Sequence, residues 1–462
     1  MYSKITSYFR ARSTWLNLVL IGAFWAGMTF GFQKIQSDWW FEDDPCVYSF
    51  TERYHSPLAF FHTQDSSNRL ITEGSGNQLL PMFFASAWMD SLISDKDAGV
   101  EYIHQSLSVL AVALGLYVLV LLWLKSPTFA ILTSLIWLIL PSSVVLSEFL
   151  SARSYVEGLL FSILAWICLL SCKRANWKHT SSFISAVYAF TAIAMLYKEY
   201  FPTTVLFSLF LYVTFHRKLK LALGFILIGF GYYLYRDWAV GISARYTMDY
   251  LNLSDYLIYL SRLPYIALGT KLGYFAFASF ALAIAICIYR GYLSKAECLF
   301  WSSVLFVTLA TIFPVASASS ATWRDHGTWY RSVFLLNTVL LLLFVKVAHT
   351  LRGYRYASLA FGLIAFSVIP GTAKTIRTWD SLKEAYALEG KFIVENTDKI
   401  LYSTLPAYWY LTCIKSYHGG KAGKVFTPSG AERKALLDKG EIWSRQGNAI
   451  KPDAKLFEEL TR

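Results

Sequence analysis

Charged residues are scarce in this chain of 462 residues, because Asp, Glu, Lys and Arg together make up only 16% of it. A soluble protein of this size carries about a quarter charged residues. The deficit is concentrated in long apolar stretches, which also explain the mean hydropathy of +0.42. These values exclude an ordinary soluble protein and indicate a polytopic membrane domain, followed by roughly ninety residues of soluble character.

Cysteines are also few, and the six that occur lack any metal-binding or disulfide-framework spacing. Cys46 and Cys413 are predicted on the same side of the membrane, where a disulfide and two unpaired thiols are both compatible with the sequence. The first apolar stretch, 15–32, lacks a small-residue cleavage site, which favours a retained anchor over a signal peptide. No basic stripe or nucleic-acid motif accompanies the net charge of +12, so we expect no nucleic-acid partner.

Long apolar stretches predict membrane-spanning helices, since about 20 apolar residues cross a bilayer. We predict about eleven spans, at residues 15–32, 104–124, 129–148, 155–172, 181–197, 203–215, 221–236, 272–288, 298–315, 332–350 and 357–372. The predicted fold class is therefore an all-α polytopic membrane domain of about eleven transmembrane helices.

The charges of the short loops orient these spans. The N-terminus and the loops after even-numbered spans are rich in Lys and Arg, and only the loop with Glu297 carries an acid among them. The opposite loops mix acidic and basic residues. The positive-inside rule therefore places the N-terminus in the cytoplasm, and the odd number of spans places the C-terminus outside.

Two of the predicted outer loops are long. The first, about 33–103, contains the apolar segment Leu79–Met89, which is too short to span a bilayer and predicts a helix lying in the membrane interface. The second, 237–271, alternates aromatic residues with charges and also predicts an interfacial segment.

The end of the chain has the pattern of a small α/β domain. Helix-like segments (Trp379–Gly390 and Ser429–Gly440) alternate there with strand-like segments (Lys399–Thr404 and Lys424–Thr427). We therefore divide the chain into a transmembrane domain at residues 1–373 and an extracytoplasmic domain at 374–462.

Ionisable residues gather at the predicted outer ends of the spans. They are Asp43, Asp44, Glu148, Arg153, Lys198, Glu199, Arg324, His326 and Arg331. Such residues are costly at membrane depth, so an outer cavity lined by them is a functional hypothesis. Cations in that cavity suit a phosphate group, whereas carboxylates suit a general base or a hard divalent ion.

Several of these acids also have a structural interpretation. Asp43–Asp44 is compatible with a solvated turn, and Lys198–Glu199 is compatible with an ion pair at a helix end. Three further acids of the first outer loop, Asp65, Glu73 and Asp90, are expected to be solvated.

The remaining candidates have structural alternatives as well. Glu148 and Arg153 favour structural pairing over contact with a substrate. His326 and Arg331 suit helix entry and lipid-headgroup contact as well as they suit a phosphate site.

Four of these features resemble the GT-C superfamily of polytopic glycosyltransferases, which includes bacterial aminoarabinose transferases and protein mannosyltransferases. The acidic pair Asp43–Asp44 follows the first span in a long outer loop, and Gly76–Trp88 is similar to the family's Pro-Leu-aromatic juxtamembrane helix. A Lys-Glu pair ends one span, and a His/Arg-aromatic group opens a late span. The resemblance extends over about residues 15–372, although Asp-Asp-Pro replaces the common Asp-Glu.

The resemblance implies transfer of a sugar from a polyprenyl-phosphate donor to a lipid, glycan or protein acceptor outside a bacterial inner membrane. Asp43 would be the general base, and Asp44 would orient it or hold Mg²⁺ or Mn²⁺. Lys198, Arg324 and Arg331 would stabilise the leaving phosphate, and the other residues of the set would bind donor or substrate. The anomeric carbon would be inverted, and the choice of base between the two aspartates stays open.

Other functions compete with this interpretation. An O-antigen-type polymerase or ligase has about a dozen spans, but it does not need an acidic pair directly after the first span. A lipid or sugar transporter predicts inverted repeats and charges at mid-membrane depth, neither of which the sequence displays. A non-catalytic scaffold is the last alternative, and detection of sugar transfer would separate the enzyme from it.

Overall fold

The computed structural model describes residues 12–32, 47–48, 51, 55–62, 79–94, 97–174, 181–198, 201–240, 253–318, 326–351, 355–396, 399–403, 405, 424–426 and 442–461. Its helices are α1 (Arg12–Ala26), α2 (Ala59–His62), α3 (Pro81–Ser94), α4 (Ala98–Leu124), α5 (Pro127–Ile139), α6 (Pro141–Ser147), α7 (Arg153–Arg174), α8 (Ser181–Tyr197), α9 (Phe207–Phe215), α10 (Leu219–Val240), α11 (Leu253–Leu268), α12 (Leu272–Tyr289), α13 (Lys295–Ala318), α14 (His326–Thr350), α15 (Arg355–Glu395) and α16 (Ala454–Thr461). Its strands are β1 (Ile400–Tyr402), β2 (Lys424–Phe426), β3 (Trp443–Gln446) and β4 (Ala449–Pro452).

Among the described residues, seven helices are long and apolar enough to cross a membrane, and an eighth span results if the bent pair α5–α6 counts as one. Two further apolar helices, Ser182–Tyr197 and Thr204–Phe215, are shorter. Large apolar side chains are exposed on the outside of the bundle, as expected where lipid replaces water. The chain is thus a multi-pass membrane protein. Helices occupy all eleven predicted segments, but the count of about eleven spans is not confirmed.

The third predicted span is broken rather than continuous. α5 ends at Ile139 and α6 begins at Pro141, with a bend of 64° between them. Proline disfavours a helical conformation in the residue before it, and Leu140 accordingly has φ −62° and ψ 136°. The apolar pattern of 129–148 therefore conceals a change of direction at Leu140, in the C-terminal half of this segment.

The core centres on α7, which packs against both α4 and α8. Leu116 and Tyr117 of α4 and Val156 of α7 are fully buried there. Burial of each large apolar side chain contributes about 1.5–3 kcal/mol relative to an aqueous environment.

The predicted helix in the first outer loop is α3, which packs against α4, α7 and α8. Phe83 and Phe84 of α3 are buried in a cluster with Tyr102 and Tyr197, at the ends of α4 and α8. Met89, Leu92 and Ile93 on the other side of α3 are exposed. This two-sided character suits a helix between protein and membrane interface.

The predicted interfacial segment of the second loop contains α11. Its Tyr259 and Ile266 pack with Ile312 of α13 and with α14. Leu253 and Leu257, on the other side, are exposed.

α15 continues from the last predicted span into the C-terminal part of the chain. The predicted helix Trp379–Gly390 is the end of this helix, and the proposed domain boundary after residue 373 falls inside it. Pro370 removes one backbone hydrogen bond without ending the helix.

The C-terminal residues form a small sheet in the order β2-β1-β3-β4. β1 pairs in parallel with β2 and β3, whereas β3 and β4 form an antiparallel hairpin. Strands β1 and β2 coincide with the strand-like segments of the sequence, while the predicted helix Ser429–Gly440 and the pair Cys46–Cys413 lie outside the described residues.

Candidate active site

Several predicted site residues cannot be placed by the structure. Asp43, Asp44, Glu199 and Arg324 lie outside the described residues. His326 and Arg331 belong to the first turns of α14, but their side chains are not among those described. Their roles stay predictions, whereas Glu148, Arg153 and Lys198 lie within the described part of the chain.

Arg153, at the start of α7, is the centre of a buried polar cluster. Its side chain is 1% exposed, and its Nη1 lies 2.5 Å from Oδ2 of Asp90. Nη2 donates to the Glu101 carbonyl oxygen at 3.1 Å, and Nε donates to Oε1 of Gln105 at 3.3 Å. A buried guanidinium is tolerable only when its donors are used in this way.

Asp90 is buried, so its interpretation as a solvated loop acid was wrong. Asp90 is only 6% exposed. The carboxylate oxygen that does not face Arg153, Oδ1, lies 2.6 Å from Nδ1 of His104. The hydroxyl of Tyr48 donates to Oδ2 at 3.3 Å. The missed pattern is helical spacing, since Asp90 follows the buried residues Phe83 and Ala87 on one side of α3.

His104 stands between two carboxylates. Its Nε2 lies 3.4 Å from Oε1 of Glu157, on the side of the ring opposite Asp90. The His104 side chain is 41% exposed, whereas both carboxylates are buried. An imidazole ring with protons on both nitrogens can donate a hydrogen bond to each carboxylate. A neutral ring has one N–H and can donate to only one of them.

Glu157 is held by hydroxyl groups as well as by His104. Ser86 of α3 and Ser108 of α4 donate to its Oε1 at 3.1 and 3.3 Å. Glu157 lies one helical turn after Arg153, a spacing that places both on one side of α7. Neither Glu157 nor His104 was predicted from the sequence, although Glu157 follows Arg153 by four residues.

Glu148 pairs with a residue of α15 rather than with Arg153. Nζ of Lys383 lies 2.9 Å from Oε2 of Glu148, and the carboxylate is fully buried. The Lys383 ammonium also lies 5.8 Å from the ring centroid of Tyr102. This ion pair attaches α15, at a point beyond the predicted span 357–372, to the end of the α5–α6 segment.

Lys198, directly after α8, is also buried, with its ammonium 5.1 Å from the ring centroid of Tyr155. Tyr155 lies two residues after Arg153 on α7. The structure therefore brings three of the predicted residues, Glu148, Arg153 and Lys198, to the same end of the bundle. Glu148 and Arg153 have different partners, which are Lys383 for Glu148 and Asp90 for Arg153.

The cluster of Asp90, His104, Arg153 and Glu157 combines fixed charges with one exposed titratable ring. It can hold a cationic or hydroxyl-bearing group, and it can pass a proton between a carboxylate and solvent through His104. Within the described part of the chain, no group of three or more His, Cys, Asp or Glu residues is arranged to hold a metal ion. The predicted divalent-ion ligand Asp44 lies outside that part.

Known proteins offer a distant structural similarity. ArnT from Cupriavidus metallidurans in the apo state superposes with a TM-score of 0.47 at 12% identity, covering 94% of this chain and 93% of that chain. ArnT from the same organism bound to undecaprenyl phosphate gives 0.42 at 13% identity with the same coverage. No protein-family model and no curated protein matches the sequence.

Proposed function

We propose that this chain is a membrane glycosyltransferase of the GT-C type. It would move a sugar from a polyprenyl-phosphate donor to a lipid, glycan or protein acceptor on the outer side of the membrane. Membrane lipids would be its other partners. The proposal combines the sequence resemblance with the architecture of the outer end of the bundle.

The observation that carries the proposal is the docking of α3. This helix belongs to the same loop as Asp43–Asp44, and it packs on α4, α7 and α8 while Asp90 enters the buried cluster around Arg153. A loop anchored in this way has a fixed position at the span ends. It supports the idea that the acidic pair of the loop acts at the membrane rim, where the sugar of a lipid-linked donor lies.

The proposed reaction is a single in-line displacement. Asp43 accepts the proton of the acceptor hydroxyl, whose oxygen forms a bond to the anomeric carbon. The bond from that carbon to the phosphate oxygen breaks, and the electron pair leaves on the polyprenyl phosphate. Lys198, Arg324 and Arg331 stabilise the departing negative charge, which together with positioning supplies most of the acceleration.

Two further predicted contacts would bind the substrate rather than react. Glu199 and His326 would contact the sugar or the phosphate. A divalent ion, Mg²⁺ or Mn²⁺, at Asp44 is a further prediction, and no step above depends on it.

The test is sugar transfer by the purified full-length protein. The substrate is a polyprenyl-phosphate sugar chosen by mass spectrometry of envelope glycolipids and glycoproteins in a deletion strain. We expect released polyprenyl phosphate and a product of inverted configuration. Asp43→Asn should lower the rate by at least about a hundredfold, since a general base contributes about 10²–10⁴-fold.

The matched control is Asp65→Asn, which removes another acid of the same loop and should leave the rate unchanged. Full activity of Asp43→Asn in a folded protein would remove Asp43 as the base. If Asp44→Asn alone abolished transfer, the base would be Asp44. Transport of the donor without cleavage would favour the transporter over the enzyme.

A further inference from the structure

The end of the bundle opposite the candidate active site carries a concentration of positive charge. Between residues 158 and 236 the sequence contains a single acid, Glu199, at the other end of the spans. The two connections at this end hold the basic residues Lys173, Arg174, Lys178, Arg217, Lys218 and Lys220. The positive-inside rule places this end in the cytoplasm.

Part of this charge is fixed in position. At the end of α7, the ammonium of Lys173 lies 2.8 Å from Nε2 of His216 and donates to the hydroxyl of Tyr212 at 3.2 Å. It also lies 5.4 Å from the centroid of the Tyr212 ring. Nδ1 of His216 lies 2.9 Å from the Tyr212 carbonyl oxygen, so a proton on Nδ1 leaves Nε2 free to accept from Lys173.

The turn between α9 and α10 places a second cation beside this group. Arg217 follows His216 and has φ +54°, in the left-handed region that side chains rarely adopt. The Arg217 amide donates to the Thr214 carbonyl oxygen at 2.8 Å. The Lys218 amide donates to the Val213 carbonyl oxygen, also at 2.8 Å. The turn is thus closed by backbone hydrogen bonds, and the Arg217 side chain is exposed.

Apolar side chains border the basic group on the surface of the bundle. Phe215 is 38% exposed and Leu219 is 69% exposed, one on either side of the turn. Trp166 of α7 packs edge-on against the ring of Tyr212. Aromatic and apolar residues next to cations at a span end match the boundary between lipid headgroups and acyl chains.

We propose that Lys173, His216 and Arg217 form a binding site for the phosphate of an anionic phospholipid in the cytoplasmic leaflet. Lys173 and Arg217 supply charge and donors to the phosphate oxygens, and Phe215 and Leu219 contact the acyl chains. The exposed apolar border selects a lipid over a free phosphate ion. This site is independent of the proposed glycosyltransferase activity, because it lies at the opposite end of α7.

The experiment is native mass spectrometry of the full chain in detergent, titrated with phosphatidylglycerol or with phosphatidylcholine. We expect phosphatidylglycerol to bind at least tenfold more tightly. Lys173→Ala and Arg217→Gln should each weaken its binding about fivefold, and the double variant more than tenfold, since one cation near an anionic surface contributes about that factor. Lys173→Arg should retain binding.

The matched control is Arg290→Ala, which removes an exposed cation directly after α12, close in sequence to Glu297 in the first turn of α13. It should leave phosphatidylglycerol binding unchanged. Equal affinity for the two lipids, or the same loss in the control, would overturn the proposal. Displacement of the lipid by millimolar inorganic phosphate would show a free-phosphate site and overturn the lipid assignment. Arg217 lies on an exposed turn, so Arg217→Gln should fold. This variant therefore tests the lipid site even if the Lys173 variants do not fold.

Discussion

The guanidinium of Arg153 and the carboxylate of Asp90 form an ion pair across 2.5 Å, and neither side chain reaches solvent to any extent. One residue begins a membrane-crossing helix, α7, and the other lies on α3 in the loop after the first span. The pair therefore joins the segment after the first span to the membrane bundle. Its partners Tyr48 and His104 extend the contact on both sides of Asp90.

Breaking this pair should destabilise the protein. Asp90→Ala leaves a buried guanidinium without its counter-ion, and removal of one partner of a buried pair costs about 3–5 kcal/mol. We expect a fall of several degrees in the midpoint of thermal unfolding, measured by intrinsic fluorescence in detergent.

The double variant Asp90→Ala with Arg153→Met is the control for this effect. It removes both charges, so its loss should be smaller than the sum of the two single losses. Strict additivity in this cycle would contradict an energetic coupling between Asp90 and Arg153.

A close helix contact makes a second prediction at Gly371. A Cβ at this position would overlap the carbonyl oxygen of Leu268 at the end of α11 and lie 2.8 Å from Cα of Gly269. The obstacle is backbone, which cannot rotate away, so Gly371→Ala should lower the free energy of unfolding by at least about 1–3 kcal/mol.

Gly362→Ala on the same helix, α15, is the matched control. Among the described residues, no atom outside its own helix backbone lies within 4 Å of a Cβ at Gly362, so the substitution should be neutral or stabilise the helix by about 0.5–1 kcal/mol. Equal unfolding midpoints for Gly371→Ala and Gly362→Ala would show that α11 and α15 do not approach each other this closely.

The start of the last helix makes a prediction about pH. Oδ1 of Asp453 accepts from the amide of Leu456 at 2.9 Å, and Oδ2 accepts from the hydroxyl of Ser444 at 2.6 Å. These hydrogen bonds hold the pKa of Asp453 below its ordinary value of 3.8. The native state therefore binds this proton less tightly than the unfolded state does.

The stability that Asp453 contributes should be complete above its ordinary pKa and disappear as the pH falls through the lower native value. Asp453→Ala should cost about 1 kcal/mol at neutral pH and flatten the pH dependence below about pH 4. Hydrogen exchange of the α16 amides measures both effects.

Asp453→Asn, which still caps the helix without titrating, should lose the pH dependence but keep most of the protection. An unchanged pH profile in Asp453→Ala would contradict the assignment.

Local patterns predicted much of the secondary structure. The predicted span 181–197 has the same bounds as α8, and the strand-like segments 399–404 and 424–427 contain β1 and β2. Hydropathy and strand propensity depend on neighbouring residues in the chain, so they can be seen in the sequence. The hairpin of β3 and β4 was missed because Trp443-Ser444-Arg445-Gln446 shows no apolar alternation.

Hydropathy and charge along the chain were enough to predict a polytopic membrane protein, a short interfacial helix after the first span, and charges at the span ends. The pairing of these charges is visible only in the folded molecule, where Asp90 contacts Arg153 and His104, and Glu148 contacts Lys383. Hydropathy is a local property of the chain, whereas an ion pair depends on the distance between helices that are far apart in sequence. Asp90 is buried because of that packing. A carboxylate can leave water only where a cation from a distant part of the chain pairs with it.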